Sequence, residues 1–67
     1  MELKEKCKAV RERMGLTQQY FAEVFLHTNQ TEVSFIERGF IPEDIRKIKA
    51  IETLYDNLIE ITIGTIY

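Results

Sequence analysis

Apolar side chains recur along most of the chain at the three- and four-residue spacing of amphipathic helices. The first apolar stripe consists of Leu3, Cys7, Val10 and Met14. Lysines and glutamates fill the opposite face of this segment. Gly15 follows, and glycine commonly ends a helix because it adopts the left-handed backbone without strain. The pattern therefore predicts a first helix that ends at Gly15.

A second, shorter helix is expected to begin after Thr17, whose hydroxyl can accept a hydrogen bond from the first turn. Its inner face would consist of Phe21, Ala22 and Phe25. A polar turn over residues 27–29 would end it. Two short helices joined by such a turn are typical of a helix-turn-helix.

A third helix is predicted from about Gln30 to Arg38. Asn29 and Glu32 have the spacing of a capping box, in which each side chain bonds the other residue's backbone. Val33 and Ile36 would face inward. Gly39 would end the helix in the same way as Gly15 ends the first.

A fourth helix is predicted to start at Ile41-Pro42, since proline suits a first helical turn. Its apolar stripe consists of Ile45, Ile48, Ile51, Tyr55 and Leu58. Residues 59–67 then alternate and are rich in β-branched side chains, which favours a strand. Because a lone strand needs a partner, this tail is the candidate dimerisation element beside a domain of residues 1–58.

The composition fits one small globular domain. The 67 residues are 45% hydrophobic and 30% charged, with a net charge of −2. Residues 1–41 balance six basic against six acidic side chains, so the acidic excess lies in the last part of the chain. Nucleic-acid binding depends on where the cations are, so an acidic rear does not exclude it.

Several functional classes find no support in the sequence. No apolar run is long enough for a membrane span, and the N-terminus lacks the apolar segment of a signal peptide. One cysteine and one histidine cannot form a disulfide or a zinc site. No nucleophile has a base at useful spacing. We therefore expect a cytoplasmic protein that is not an enzyme and that uses no cofactor, metal, membrane or small-molecule ligand.

The segments Gly15 to Gln18, Phe21-Ala22 and Val33 to Gly39, together with Arg11 and Pro42, resemble the phage repressor and Cro class of helix-turn-helix proteins, the XRE family. The resemblance covers about residues 3–55. It implies an all-α, compact, lambda-repressor-like domain of four to five helices. A C-terminal strand or extension could serve for dimerisation.

The resemblance also implies roles for individual residues. Gln18 matches a glutamine that binds a DNA phosphate, and Arg11 with Glu37 matches a partly buried ion pair. The positions that match base-contacting residues of the recognition helix are Gln30, Thr31 and Phe35. Asn29 and Ser34 lie beside them and could reach the DNA backbone.

The chemistry of the third helix agrees with these roles. The N-terminal turn of a helix reaches furthest into a major groove. The amide of Gln30 can bind adenine with two hydrogen bonds, and the methyl group of Thr31 suits thymine. The positions matched to base contacts nevertheless include no Arg or Lys, the residues that most often read guanine.

The turn departs from the family pattern. Leu26 stands where the family usually has a glycine, and one additional residue separates Phe25 from Val33. The turn must therefore be rebuilt, with either His27 or Asn29 in the left-handed region. The register of the third helix depends on how the additional residue is accommodated.

Three residues keep alternative interpretations. Phe35 is a groove contact, an exposed aromatic at a protein interface, or part of the core if the turn shifts the helix. Cys7 is a small buried hydrophobe rather than a reactive thiol. His27 is a turn residue, with a phosphate contact as its functional alternative.

The function expected from these observations is that of a sequence-specific DNA-binding regulator, a small phage, mobile-element or bacterial repressor. It would bind double-stranded DNA in the major groove as a homodimer on a palindromic operator. The alternative is a protein-interaction module on the same scaffold, such as an antitoxin or antirepressor. The acidic balance and Phe35 favour that alternative.

Overall fold

A computed structural model describes the backbone of residues 1–66 and the side chains of residues 1–59. This part of the chain is all-helical, with helices α1 (Leu3–Arg13), α2 (Gln18–Phe21), α3 (Gln30–Glu37) and α4 (Ile45–Ile66). A π-helical turn, Ala22–Leu26, continues directly from α2. Residues 1–66 contain no strand. The prediction of a compact all-α domain is therefore confirmed.

The predicted C-terminal strand is wrong, because α4 continues to Ile66 and crosses the expected boundary at residue 58. Once a helix is nucleated, each further residue adds a backbone hydrogen bond at little cost. A lone strand would leave its backbone groups unpaired. Tyr67 lies outside the described residues. None of the helices within residues 1–66 has the length and apolar character to cross a membrane.

Helix α4 also begins later than predicted. Its first residue is Ile45, and the carboxylate of Asp44 accepts a hydrogen bond from the backbone N–H of Arg46 at 3.0 Å. An aspartate before the helix accepts a hydrogen bond from a first-turn amide that has no partner within the helix. A proline side chain has no acceptor atom for such a bond. Pro42 is instead buried in the loop that precedes the helix.

Both predicted glycine stops are confirmed. Gly15 has φ 70° and Gly39 has φ 117°. At the end of α1, the N–H groups of Gly15 and Leu16 bond the carbonyls of Glu12 and Arg11, both at 3.0 Å. The end of α3 has the same pair of backbone hydrogen bonds, so both helices end in a Schellman motif.

The core draws on every helix. Its buried members are Cys7, Val10, Phe21, Ala22, Leu26, Val33, Ile36 and Ile51. The predicted burial of two stripe residues is wrong, because Met14 is 43% exposed and Ile45 is 60% exposed. Each stands at the end of its helix, beyond the neighbours that would cover it.

The π-helical turn leads from α2 into the turn over residues 27–29. A π-helix uses i to i+5 hydrogen bonds and so holds one more residue per loop of backbone than an α-helix. Leu26 consequently points into the core, where it is 3% exposed. His27 follows with φ 53° and ψ 45°, while Asn29 is extended. The left-handed residue is therefore His27, and α3 starts at Gln30 as predicted.

Replacing His27 with glycine is expected to stabilise the protein by about 0.5–1 kcal/mol. A left-handed backbone costs a residue with a Cβ atom about 1–2 kcal/mol, and the larger entropy of unfolded glycine offsets part of the gain. Urea denaturation measures the change. The control Thr28→Gly should lower the free energy of unfolding, because Thr28 does not have positive φ. Equal losses in both variants would contradict the left-handed turn.

Candidate nucleic-acid interface

Helix α3 presents a continuous outer surface, which we call the α3 stripe. Its members are Gln30, Thr31, Ser34, Phe35 and Arg38. They recur three and four residues apart and so share one side of the helix. Val33 and Ile36 lie on the opposite side and are fully buried. Packing of α3 against the core thus leaves this stripe outward.

Asn29 caps α3 rather than extending the stripe. Its Oδ1 accepts a hydrogen bond from the N–H of Glu32 at 3.0 Å. The reciprocal half of the predicted capping box is not formed. The carboxylate of Glu32 instead accepts a hydrogen bond from Lys47 of α4, which lowers the pKa of Glu32. This contact ties the start of α3 to α4.

Arg11 and Glu37 form the predicted ion pair. Nε of Arg11 donates to Oε2 of Glu37 at 2.7 Å, and Nη2 donates to Oε1 at 3.0 Å. Nη1 also donates to the carbonyl of Leu16 at 3.0 Å. The side chains are only 16% and 7% exposed. A two-pronged contact with so little solvent holds α1, the loop before α2 and α3 in a fixed relation.

Gln18 joins this network from the start of α2. Its Nε2 donates to Oε1 of Glu37 at 3.3 Å. An amide nitrogen carries two hydrogens, so one remains for an outside acceptor such as a phosphate. Thr17 caps the same helix by accepting a hydrogen bond from the N–H of Tyr20 at 3.1 Å, as predicted.

The C-terminal half of the α3 stripe is apolar and cationic. Phe35 is 46% exposed, so its interpretation as a core residue is wrong. The guanidinium carbon of Arg38 lies 4.7 Å from the centre of the Phe35 ring. Nε of Arg38 donates to the carbonyl of Ser34 at 3.3 Å. The ring of Phe40 approaches Phe35 edge-on at 6.4 Å.

Sequence reasoning missed Arg38 as a member of the site. The signal was present, because Arg38 follows Phe35 by three residues and therefore lies on the same side of the helix. In the structure Glu37 turns inward to Arg11, and Arg38 turns outward over Phe35.

Most of the cations of residues 1–59 are paired with carboxylates. The ion pairs are Lys4–Glu2, Lys6–Glu52, Lys8–Glu12, Arg11–Glu37, Arg46–Asp44 and Lys47–Glu32. Among the side chains of residues 1–59, Arg13, Arg38 and Lys49 have no carboxylate partner. The attraction of this surface for phosphate is therefore modest.

Cys7 lies beneath the site and is fully buried. Its Sγ is 3.9 Å from Oε2 of Glu37. Burial, with a smaller contribution from the Glu37 charge, raises the pKa of the thiol from 9.0 to about 12. A thiol with this pKa is unreactive at neutral pH. The interpretation of Cys7 as a small buried hydrophobe agrees with this environment.

We expect Cys7 to react with a disulfide reagent only when the protein unfolds. Because the thiol pKa is raised in the folded state, its contribution to stability is complete below about pH 9 and is lost as the pH rises toward 12. Labelling kinetics in increasing urea and denaturation curves from pH 8 to 11 measure both effects. The variant Cys7→Ala should lose less stability over this pH range. Rapid labelling without denaturant would contradict the burial.

No metal-binding constellation accompanies the site. The described residues contain no group of three or more His, Cys, Asp or Glu side chains placed to hold a metal ion.

Comparisons of the chain with protein-family models, with curated proteins and with solved structures gave no match.

Proposed function

We propose that this protein is a sequence-specific DNA-binding regulator in which α2 and α3 act as a helix-turn-helix of the lambda-repressor-like type. The observation that carries the proposal is the α3 stripe. Gln30 and Thr31 occupy the first turn of α3 and are exposed. Their side chains carry hydrogen-bonding groups that can reach base edges. A major groove admits one helix presented in this way.

The network beneath the stripe supports the same function. Recognition of bases requires that a helix enter the groove at a fixed angle, since base contacts depend on close geometry. The two-pronged Arg11–Glu37 pair and the Gln18 contact join three helical segments near α3. The Glu32–Lys47 pair restrains the other end. These contacts would keep the α3 stripe rigid when DNA is bound.

In this proposal the active species is a homodimer on a palindromic operator. Two α3 helices would enter successive major grooves, about 34 Å apart. Residues 59–67 are the proposed dimerisation element, now on a helix through Ile66. Binding would repress transcription by occluding a promoter, as expected of a small phage, mobile-element or bacterial repressor.

Selection of bound sites from random duplex DNA at low salt tests the proposal. We expect a palindromic consensus with half-sites centred about 10 base pairs apart or a multiple of that spacing. Gln30→Ala should relax the preference at one position of each half-site, with a loss of about 1–3 kcal/mol of discrimination. Gln19→Ala is the control, since Gln19 is exposed on α2 and its side-chain amide donates a hydrogen bond to Glu23 of the same helical segment. An absence of any enriched sequence would reject the proposal.

A protein-interaction module is the second candidate. The extensive pairing of the cations and the exposed rings of Phe35 and Phe40 favour it. Salt dependence separates the two functions, because DNA affinity falls steeply between about 50 and 200 mM salt when phosphate contacts contribute. A chain without DNA affinity even at low salt, but with affinity for a protein partner, would favour the second candidate.

A further inference from the structure

We propose that Phe35 and Arg38 act together as a reader of a 5-methylpyrimidine next to a guanine in the major groove. The inference rests on the proposed DNA-binding function and adds the base step that the C-terminal half of α3 would recognise. Phe35 would contact the 5-methyl group, and Arg38 would bind the guanine edge. Thymine and 5-methylcytosine share the methyl group that this site recognises.

The two side chains form a preorganised unit. The guanidinium of Arg38 is held over the Phe35 ring at 4.7 Å and is anchored through Nε to the carbonyl of Ser34. The Phe40 ring approaches Phe35 edge-on, with 6.4 Å between the ring centroids. Holding a flexible arginine in one orientation before binding reduces the entropy that it would lose on contact.

The free groups of this unit match the chemistry of the base step. With Nε engaged by Ser34, the two terminal nitrogens of Arg38 remain for a two-pronged contact with O6 and N7 of guanine, the commonest specific contact of arginine. The exposed part of Phe35 offers only apolar surface, which suits a pyrimidine methyl. Adjacent base pairs are about 3.4 Å apart, comparable with the 4.7 Å between the guanidinium and the ring.

The position along α3 favours a base contact over an isolated surface patch. Phe35 follows Thr31 by four residues, so the two side chains are neighbours on α3, whereas Gln30 lies about 140° around the helix from Phe35, at the other edge of the α3 stripe. A major groove that receives Thr31 would therefore receive Phe35 too. Arg38 lies about 10 Å along the axis from Thr31, within reach of the next base pairs.

The test uses duplexes that carry the sequence obtained by selection with the full chain. In one set of duplexes, each thymine next to a guanine is replaced by uracil. In another set, each unmethylated cytosine next to a guanine is replaced by 5-methylcytosine. Uracil and thymine differ only in the methyl group. Loss of one methyl contact should weaken binding about fourfold in each half-site, and methylation of cytosine should strengthen it by a similar factor.

Two variants assign the effects to the proposed residues. Phe35→Ala should bind thymine and uracil duplexes equally, and Arg38→Gln should lose at least about fivefold in its preference for guanine. Both side chains are exposed, so the variants should keep the urea midpoint of the parent. Tyr20→Ala is the control, because Tyr20 is an aromatic of similar exposure on α2 and should leave the methyl effect unchanged.

The outcomes distinguish failure of this inference from failure of the proposed function. A selected site whose thymine tolerates uracil would overturn the reader and leave DNA binding intact. An Arg38→Gln variant that binds every sequence more weakly by the same factor, with a smaller salt slope, would identify a phosphate contact and overturn the guanine contact. A selection that returns no sequence would overturn both proposals.

Discussion

Replacing Glu37 with alanine is expected to destabilise the protein toward the lower end of about 3–5 kcal/mol, the cost of removing one partner of a fully buried ion pair, because this pair is part-buried. The carboxylate is 7% exposed and accepts hydrogen bonds from Arg11 and Gln18. Without it, the Arg11 guanidinium stays in an environment that is only 16% exposed and has lost its counter-charge. A domain of this size has a total stability of roughly 3–10 kcal/mol, so much of the population would unfold.

Urea denaturation followed by circular dichroism measures the change. The control is Glu12→Ala, which removes an exposed glutamate paired with Lys8 at 3.9 Å and should cost less than about 0.5 kcal/mol. The double variant Arg11→Met with Glu37→Leu should be more stable than Glu37→Ala, because it leaves no unpaired buried charge. Glu37→Ala with the stability of the Glu12 control would show that the pair contributes nothing.

The same network explains why the fold and the proposed site are inseparable here. Glu37 lies at the end of α3, yet its partners come from α1 and from the start of α2. Loss of Glu37 would therefore release the C-terminal end of α3 from α1 and α2, while the Glu32–Lys47 pair still ties its start to α4. We expect Glu37→Ala to lose DNA affinity because the protein unfolds. If the more stable double variant binds DNA again, neither Arg11 nor Glu37 contacts DNA directly, and the pair acts only by orienting α3.

Local signals allowed the C-terminal ends of α1 and α3 and the starts of α2 and α3 to be predicted from the sequence. Gly15 and Gly39 adopt the left-handed backbone, and Thr17 and Asn29 accept the expected capping bonds. In each case the requirement is a property of one residue and its near neighbours. The Arg11–Glu37 pair was also predictable, although only from the resemblance, because nothing in the spacing alone joins residues 26 positions apart.

The errors arose where tertiary or cooperative effects decide. The tail has the composition of a strand, but helix propagation from α4 outweighs a preference that is weak for any single residue. Glu32 has the spacing of a capping box, but Lys47 from another helix takes its carboxylate. The π-helical turn was not predicted, because its only sign in the sequence was one additional residue between Phe25 and Val33 relative to the family pattern.

The predicted strand would have joined two subunits through backbone hydrogen bonds, whereas a helix must use side chains. Positions 59, 63 and 66 are all isoleucine and recur at i, i+4 and i+7 of α4. This is the sequence spacing of residues that share one side of an α-helix. Leu58 packs against the core, and Ile59 is 39% exposed. An interface between two such helices is the form of dimer that we propose.

Replacing Ile63 with aspartate is expected to weaken operator binding by about 10²–10⁴-fold. A dimer gains this factor because the second half-site is bound from within the same complex. A carboxylate in an apolar helix interface would have to lose its hydration without a partner, which disfavours association. Sedimentation equilibrium measures the dimer, and titration of the selected duplex measures the affinity.

The matched control is Gly64→Asp, which adds the same charge one residue later and about 100° further around the helix. It should keep both the dimer and the affinity. Both variants should retain the stability of the folded core, because α4 contributes Ile51 and the neighbouring Leu54 and Leu58 before this point. Equal loss in both variants would indicate a nonspecific effect of charge on DNA binding. A dimer unaffected by Ile63→Asp would instead remove this side of α4 from the interface and require the two subunits to meet elsewhere.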